Sequence, residues 1–189
     1  MSRGARNMFV NGFEERRDLE QYFWTQDTIH RFQIALQFQQ DACCLCVPSL
    51  AHSYHVLATE NEEPSQEKFL LDIDTRFDYL PLFRYFDLLL PHMTVIDSKF
   101  KIVVFDPPFF YIPLEVLYKA VLYVTGGNAN AKLLIGFLKR EEVPLLKVFK
   151  AFQLKPTSFQ LQYTHVKPNK WINYCLYSNI DLPGIKRRK

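Results

Sequence analysis

Short apolar runs alternate with longer amphipathic stretches along most of the chain. Four runs have the length of strands and are rich in apolar and β-branched residues. They are ACCLCVPS at 42–49, FLLDID at 69–74, KIVVFD at 101–106 and AKLLIGF at 131–137. Because most of their positions are apolar, with little alternation, they predict parallel strands that are covered on both faces.

Helices are predicted between and around these runs. In the first, Ile29, Phe32 and Leu36 recur at intervals of three and four residues, which is the period of one helix face. Thr25 or Asp27 can cap its start. The predicted helices cover the second half of 18–40, then 50–60, 113–124 and 140–152.

The C-terminal part has a different pattern, since apolar and polar residues alternate there. FQLQYTH at 159–165 and INYCLYSNI at 172–180 predict an antiparallel pair of strands, with VKPNK as the loop between them. The order of elements predicts an α/β fold with a mostly parallel central sheet, helices on both faces and an antiparallel C-terminal strand pair. This is the order of elements in Rossmann-like class I methyltransferases.

Length and charge predict one domain with basic ends. The 189 residues suffice for one core and are too few for two ordinary domains. The net charge is only +3, but basic residues are concentrated near both ends of the chain. We expect a flexible basic arm at 1–17, a single domain at 18–185 and a basic tail, KRRK, at 186–189.

Cysteine usage favours reduced thiols over disulfides or a metal site. Three of the four cysteines lie in CCLC at 43–46, where neighbouring cysteines do not easily bridge, and no second pair has zinc spacing. No apolar run reaches the roughly 18 residues of a membrane span, and no signal peptide is recognisable. We expect a soluble protein of the cytoplasm or nucleus, without metal or membrane association.

Three predicted strands end in residues that suit a ligand site. In such a sheet, ligands bind beyond the carboxyl ends of the strands. An acid after the second strand can accept both hydroxyls of a ribose diol, although strand termination and a helix cap explain the same acids without function. The strand ends carry Pro48 and Ser49, then Asp72 and Asp74, and then the segment from Asp106 to Phe109.

The sequence DPPF at 106–109 suits methyl transfer to an amino group. A planar amino nitrogen is a poor nucleophile and must be held while it becomes tetrahedral. Asp106 and the carbonyl of Pro107 can accept its N–H groups, and two consecutive prolines hold that carbonyl rigidly. Phe109 can stack on a flat acceptor or pack against the methyl donor. A strand exit followed by a proline turn would give the same four letters.

Five short motifs together resemble one known family. VVFDPPF at 103–109 matches an Asp/Asn/Ser-Pro-Pro-aromatic motif, and QYFWTQDT at 21–28 and LLDIDTRF at 70–77 match two further segments. CVPS at 46–49 follows the first predicted strand, where a glycine-rich loop would be usual. YFD at 85–87 aligns with a segment whose acid lies near the adenine ring of a bound cofactor. The family they resemble is the eukaryotic N6-adenine methyltransferase-like family. It contains lysine methyltransferases of elongation factor 1A and zinc-finger adenine methyltransferases of ribosomal RNA.

The resemblance implies S-adenosylmethionine as cofactor and a set of site residues. The catalytic residues would be Asp106, Pro107, Pro108 and Phe109. The cofactor-binding residues would be Gln21, Phe23, Trp24, Pro48, Ser49, Asp72, Asp74, Asp87 and Phe105. Trp24 is interpreted either as core or as part of a lid over the cofactor.

The acceptor remains open between two substrates. The DPPF and LLDID segments, the aromatic content of 15% and the basic ends favour adenine N6 in RNA. The segment at 21–28 and the compact length favour a lysine of elongation factor 1A. A catalytically silent binding subunit is a third interpretation, which the altered first loop permits and the intact Asp106 argues against. The chain lacks the zinc modules of the ribosomal-RNA enzymes, and we expect a monomer.

Overall fold

Seven strands form one mixed sheet in the computed structural model, which describes residue 9 and residues 13–39, 41–97 and 99–189. Their order across the sheet is β3-β2-β1-β4-β5-β7-β6. Strands β1 to β5 are parallel, whereas β7 is antiparallel to both β5 and β6. The strands are β1 (Ala42–Leu45), β2 (Phe69–Asp72), β3 (Phe83–Tyr85), β4 (Ile102–Phe105), β5 (Lys132–Leu138), β6 (Lys155–Pro156) and β7 (Tyr174–Ser178). The predicted Rossmann-like α/β architecture is confirmed.

In the described part of the chain, four α-helices pack around this sheet: α1 (Gln26–Leu36), α2 (Pro48–Glu60), α3 (Leu114–Val124) and α4 (Glu142–Val148). The connection from β1 to β2 leads towards one edge of the sheet, and the connection from β4 to β5 leads towards the other edge. Because parallel crossovers are almost always right-handed, α2 and α3 lie on opposite faces. Folds of this kind bind ligands between β1 and β4, where the direction reverses.

Local sequence explains where the helices begin. The hydroxyl of Thr25 accepts the N–H of Thr28 at 3.2 Å and so caps α1, as predicted. Pro48 is the first residue of α2, and Pro144 lies in the first turn of α4. A proline is tolerated at both places because the N–H groups of a first helical turn have no partner within the helix.

The prediction that residues 159–165 and 172–180 pair as a C-terminal hairpin is wrong. Strand β7 pairs with β5 and with the two-residue β6, and the segment 159–165 forms no strand. Within that segment, Tyr163 makes a single antiparallel bridge to Trp24. Its alternation arises because Phe159, Leu161 and Tyr163 are buried. Burial of every second side chain gives the same period as a paired strand.

Strand β3 was not predicted from the sequence. It contains three residues at the edge of the sheet, and two of them are exposed. Such a short edge strand has no apolar run to reveal it, although its parallel pairing with β2 places the following residues beside the ligand-binding edge.

Both ends of the chain contact the domain where the structure describes them. The buried ring of Phe9 packs edge-on against Phe23 at a centroid distance of 5.0 Å. In the predicted tail, the N–H of Arg188 donates to the carbonyl of Pro156 in β6 at 2.8 Å. The predicted arm lies largely outside the described residues. In the described part of the chain, no helix is long and apolar enough to cross a membrane.

Candidate active site

A pocket opens at the carboxyl ends of β1, β2 and β4, at the point where the sheet reverses direction. Its cavity volume is about 260 Å³, close to the lower end of the roughly 300–1000 Å³ of small-molecule sites. The turn after β1, the segments after β2 and β3, the loop after β4 and residues 18–23 form its walls. No described lining residue is a lysine or arginine. Five are acids: Asp18, Glu20, Asp72, Asp87 and Asp106.

The turn after β1 uses a non-glycine residue in a left-handed conformation. Cys46 has a φ of 55°, which glycine adopts without cost and other residues adopt rarely. Its N–H donates to the carbonyl of Leu71 at 2.9 Å, which holds the turn against β2. Burial raises the pKa of the Cys46 thiol well above its ordinary value, so the thiol is neutral. Pro48 lines the pocket, whereas Ser49 is buried behind it and does not.

The two predicted acids after β2 have different surroundings. Asp72 lines the pocket, and its Oδ1 accepts the N–H of Asp74 at 2.9 Å. Burial raises the pKa of Asp72 to about 7. Asp74 is absent from the pocket lining and accepts hydrogen bonds from Arg76 and from Gln21 Nε2. Burial alone would raise the pKa of Asp74, but these bonds outweigh it and the pKa lies below its usual range.

The segment after β3 adds an acid beside an apolar slot. Asp87 lines the pocket, and its Oδ1 accepts the N–H of Leu89 at 2.8 Å. Ile73, Phe86 and Leu88 line the same part of the pocket. The slot therefore combines apolar side chains with one polar group at its edge.

Residues 20–25 form a strap that lies across the ligand-binding edge of the sheet. The strap runs antiparallel beside residues 162–164, with Thr25 N–H donating to Gln162 O and Thr164 N–H donating to Phe23 O. Gln21 and Phe23, which the resemblance implies as cofactor-binding residues, line the pocket. The side chain of Gln21 also contacts Asp74 and Arg76, which fixes the strap to the end of β2.

The Asp106 carboxylate is buried and has a hydrogen-bond donor on each oxygen. The indole N–H of Trp24 donates to Oδ2 at 2.8 Å, and the hydroxyl of Tyr163 donates to Oδ1 at 2.9 Å. Burial raises the pKa of Asp106 to about 8, against the lowering effect of the two hydrogen bonds. Trp24 is therefore a buried partner of Asp106 and does not line the pocket.

Gly136 in β5 provides the space for this carboxylate. A Cβ at this position would fall well inside contact distance of Asp106 Oδ1 and 2.9 Å from Leu161 Cδ1. The glycine is needed here for close approach, and its φ lies outside the left-handed region. The carboxylate thus occupies a fitted space between β4, β5 and the segment that carries Tyr163.

The rings that follow the two prolines differ in exposure. Phe109 is only 6% exposed and lies against Tyr22 and Tyr174, whereas Phe110 and Tyr111 are 53% and 78% exposed. The backbone N–H groups of Phe110 and Tyr111 both face Glu20 Oε2, at 3.2 and 3.4 Å. Asp106, Pro107, Pro108 and Phe109 all line the pocket, while Phe105 is fully buried beneath them.

Among the described residues, no group of three or more His, Cys, Asp or Glu side chains has the geometry of a metal site. The two histidines of α2 have other partners: His52 lies 2.8 Å from the hydroxyl of Tyr79, and His55 pairs with Glu67 at 2.6 Å.

The strand order, the acid after β2 and the rigid DPPF loop after β4 together define a Rossmann-like methyltransferase. The chain belongs to the family described as probable N6-adenine methyltransferase, which matches residues 15–182. No curated protein matches the chain significantly. Membership of this family confirms the resemblance found in the sequence, and the family's description implies methylation with S-adenosylmethionine in general.

Three features of the site were missed from sequence. Tyr163 was interpreted as part of a strand, Gly136 as an ordinary position in an apolar run, and Tyr22 as part of a motif without a role of its own. The signal for Gly136 is weak but real, because a glycine inside a strand often marks a close approach. Nothing in the local sequence marks Tyr163, whose partner Asp106 is 57 positions away along the chain.

Proposed function

We propose that this protein transfers a methyl group from S-adenosylmethionine to the N6 amino group of adenine in RNA. The observation that carries the proposal is the buried Asp106 carboxylate on the pocket wall, followed by two prolines and the ring of Phe109. Together they offer a hydrogen-bond acceptor for an amino group and an apolar surface for a flat ring.

The pocket suits the chemistry of the cofactor at four places. A wall with acids and no described lysine or arginine favours the positive sulfonium and ammonium groups. Asp72 lines the pocket and would accept a ribose diol there, and the slot of Ile73, Phe86 and Leu88 beside Asp87 suits an adenine ring. The amino end of α2, at Pro48, favours the cofactor carboxylate through its unpaired N–H groups. When bound, the cofactor supplies an electrophilic methyl group.

On the acceptor side, the chain's own residues would hold the nitrogen. Asp106 and the carbonyl of Pro107 would accept the two amino hydrogens, which keeps electron density on the nitrogen as it leaves the plane of the ring. The prolines fix the position of that carbonyl. Methylation leaves a positive charge on the nitrogen, which is removed when one of its protons passes to solvent, so the chemistry required of the protein is mainly positioning.

An aromatic and basic surface beside the pocket supports RNA as the substrate. Phe110 and Ile172 border a groove together with Lys139 and Arg140. The guanidinium of Arg140 lies 5.7 Å from the ring centre of Phe110, and Tyr111 is exposed next to it. Exposed rings stack on unpaired bases, and neighbouring Lys and Arg contact phosphates.

A second candidate function is methylation of a protein lysine, as the resemblance to the elongation factor 1A enzymes also implies. The observation that favours it is a groove at Tyr111 that is bordered by Glu14, Glu15 and Glu20, with Arg17 and His165 as the basic residues of its lining. Glu20 Oε1 is buried and has no hydrogen-bond partner among the described residues. Because the three acids outnumber the two basic residues of the lining, the groove favours an ammonium group over a phosphate.

Transfer of radiolabelled methyl groups decides between these substrates. We expect the protein, incubated with labelled S-adenosylmethionine and cell extract, to give macromolecular label that nuclease removes and protease leaves. Digestion of the labelled RNA to nucleosides should then yield N6-methyladenosine. The Asp106→Ala protein is the matched control for methyltransferases already in the extract. Label that protease alone removes would replace the RNA assignment with the lysine assignment.

The two acids after β2 are expected to contribute unequally to cofactor binding. Asp72→Ala should weaken binding of S-adenosylhomocysteine by about 1–3 kcal/mol, because it leaves buried polar partners unpaired. Asp74→Ala should weaken it much less, since Asp74 contacts Arg76 and Gln21 rather than the pocket. Calorimetric titration of both variants measures the difference. Equal and negligible losses would remove Asp72 from the cofactor site.

A further inference from the structure

The Asp106 carboxylate is held by two side chains from separate parts of the chain. Trp24 belongs to the strap, Tyr163 follows β6, and both are fully buried with Asp106. Their donor atoms lie 2.8 Å from Oδ2 and 2.9 Å from Oδ1. The backbones of Trp24 and Tyr163 also bridge to each other, so both donors are fixed on one rigid unit.

The number of lone pairs on a carboxylate shows how many further hydrogen bonds Asp106 can accept. An ionised carboxylate has about four lone-pair sites, two on each oxygen. The indole N–H can only donate, and it occupies one site on Oδ2. The tyrosine hydroxyl occupies one site on Oδ1. One site therefore remains on each oxygen of a side chain that lines the pocket.

We propose that Trp24 and Tyr163 are positioning residues. Their two hydrogen bonds form a clamp that fixes Asp106, so that its remaining lone pairs accept the N–H groups of the amino group to be methylated. The proposal rests on the proposed function in one respect: it takes Asp106 as the group that holds the acceptor nitrogen, whether that nitrogen belongs to adenine or to lysine. It adds Tyr163 to the site and gives Trp24 a role other than contact with the cofactor.

The clamp also controls the charge of Asp106. Burial raises the pKa of this carboxyl to about 8, and the hydrogen bonds from Tyr163 and Trp24 limit that rise. When Asp106 is protonated, one of its oxygens becomes a donor and fewer lone pairs remain for the substrate. Donors that favour the ionised form therefore preserve the acceptor at lower pH.

Two other titratable groups lie within electrostatic range of Asp106. They are Cys46 in the turn after β1 and Tyr174 in β7. Burial raises the pKa of both, so both stay neutral as the pH rises from 6 to 9. Asp72 at the end of β2 lines the same pocket, and burial raises its pKa to about 7, so the wild-type profile contains both carboxyl groups. Replacing Tyr163 or Trp24 leaves Asp72 unchanged, so the shift of the profile between variant and wild type reports on Asp106.

The test replaces each donor and follows the dependence of activity on pH. Because the ionised carboxylate is the better acceptor, kcat/KM should fall as the pH falls through the pKa of Asp106. Tyr163→Phe and Trp24→Phe each remove a bond that lowers this pKa, so each should move the acidic limb of the profile up by about one pH unit. Activity should be partly regained at high pH, and cofactor affinity should stay within a few-fold of wild type.

Tyr177→Phe is the matched control. Tyr177 is also a buried tyrosine of the sheet region whose hydroxyl bonds a carboxylate, that of Glu142 at 3.1 Å. Its loss should change stability without moving the pH profile. If Tyr163→Phe and Trp24→Phe behave like Tyr177→Phe, their roles are only structural and the proposal is overturned.

A second readout does not depend on activity. In protein labelled with ¹³C-aspartate, the Asp106 carboxyl signal is identified by its loss in Asp106→Asn, and its titration gives the pKa directly. We expect Tyr163→Phe to raise that pKa, and an unchanged titration would contradict the clamp. If the wild-type protein transfers no methyl group, the proposed function fails, while this titration still decides whether the clamp exists.

Discussion

Asp106→Ala is expected to lower turnover by about a hundred-fold or more while leaving cofactor affinity within a few-fold of wild type. Preorganised groups that act at the reacting atom typically contribute 10²–10³-fold to kcat. The contacts of Asp106 with the amino nitrogen should strengthen as that nitrogen becomes tetrahedral, so their loss reduces kcat more than it affects binding. Methyl-transfer rates at saturating cofactor measure the change.

Asp106→Asn is the control for this substitution. It keeps an acceptor oxygen and can still accept from Trp24, whereas Ala leaves the buried donors of Trp24 and Tyr163 without a partner. Asn should therefore retain more activity than Ala. An Asp106→Ala enzyme with normal turnover on its acceptor would overturn the assignment of the catalytic site.

Gly136→Ala is expected to be nearly as damaging, although the change adds a single methyl group. That methyl would overlap Asp106 Oδ1 and crowd Leu161 within β5, where the backbone is fixed by pairing on both sides. Overpacking of this kind typically costs about 1–3 kcal/mol of stability. Because the carboxylate must move, its contacts with Tyr163 and with the substrate should be lost too. Denaturant unfolding and turnover measure the two effects.

A double-mutant cycle separates the steric effect from general damage to the sheet. In an Asp106→Ala background the main clash is absent, so Gly136→Ala should destabilise the protein less than it does in the wild type. The residual cost would report the contact with Leu161. Equal costs in both backgrounds would show that Gly136 does not provide the space for Asp106.

The parallel half of the fold could be predicted because its signals are local. The buried strands β1 and β4 appear as unbroken apolar runs, and the start of α1 follows from one capping threonine. The C-terminal half could not be predicted equally well. Alternation in residues 159–165 reports which side chains are buried, but it does not say whether the backbone pairs with β7 or with the strap.

The site residues also divide into those that a local motif reveals and those that only the folded chain brings together. Asp106 and its prolines are adjacent in sequence, so one motif reveals them. The clamp joins Trp24 and Tyr163 to Asp106 across 82 and 57 positions, and only the folded chain brings the three together. Cys46 illustrates a third case: the missing glycine-rich loop is visible in the sequence, whereas the left-handed conformation that replaces it is a property of the turn.

Calorimetric titration of the wild-type protein with S-adenosylmethionine tests the central claim most directly, because every assigned role depends on a cofactor in this pocket. We expect one site per chain, the same stoichiometry with S-adenosylhomocysteine, and stabilisation against unfolding of about 2.7 kcal/mol at a ligand concentration of 100 Kd. Absence of heat and of any shift in melting temperature at saturating cofactor would contradict the account and favour a catalytically silent member of the family.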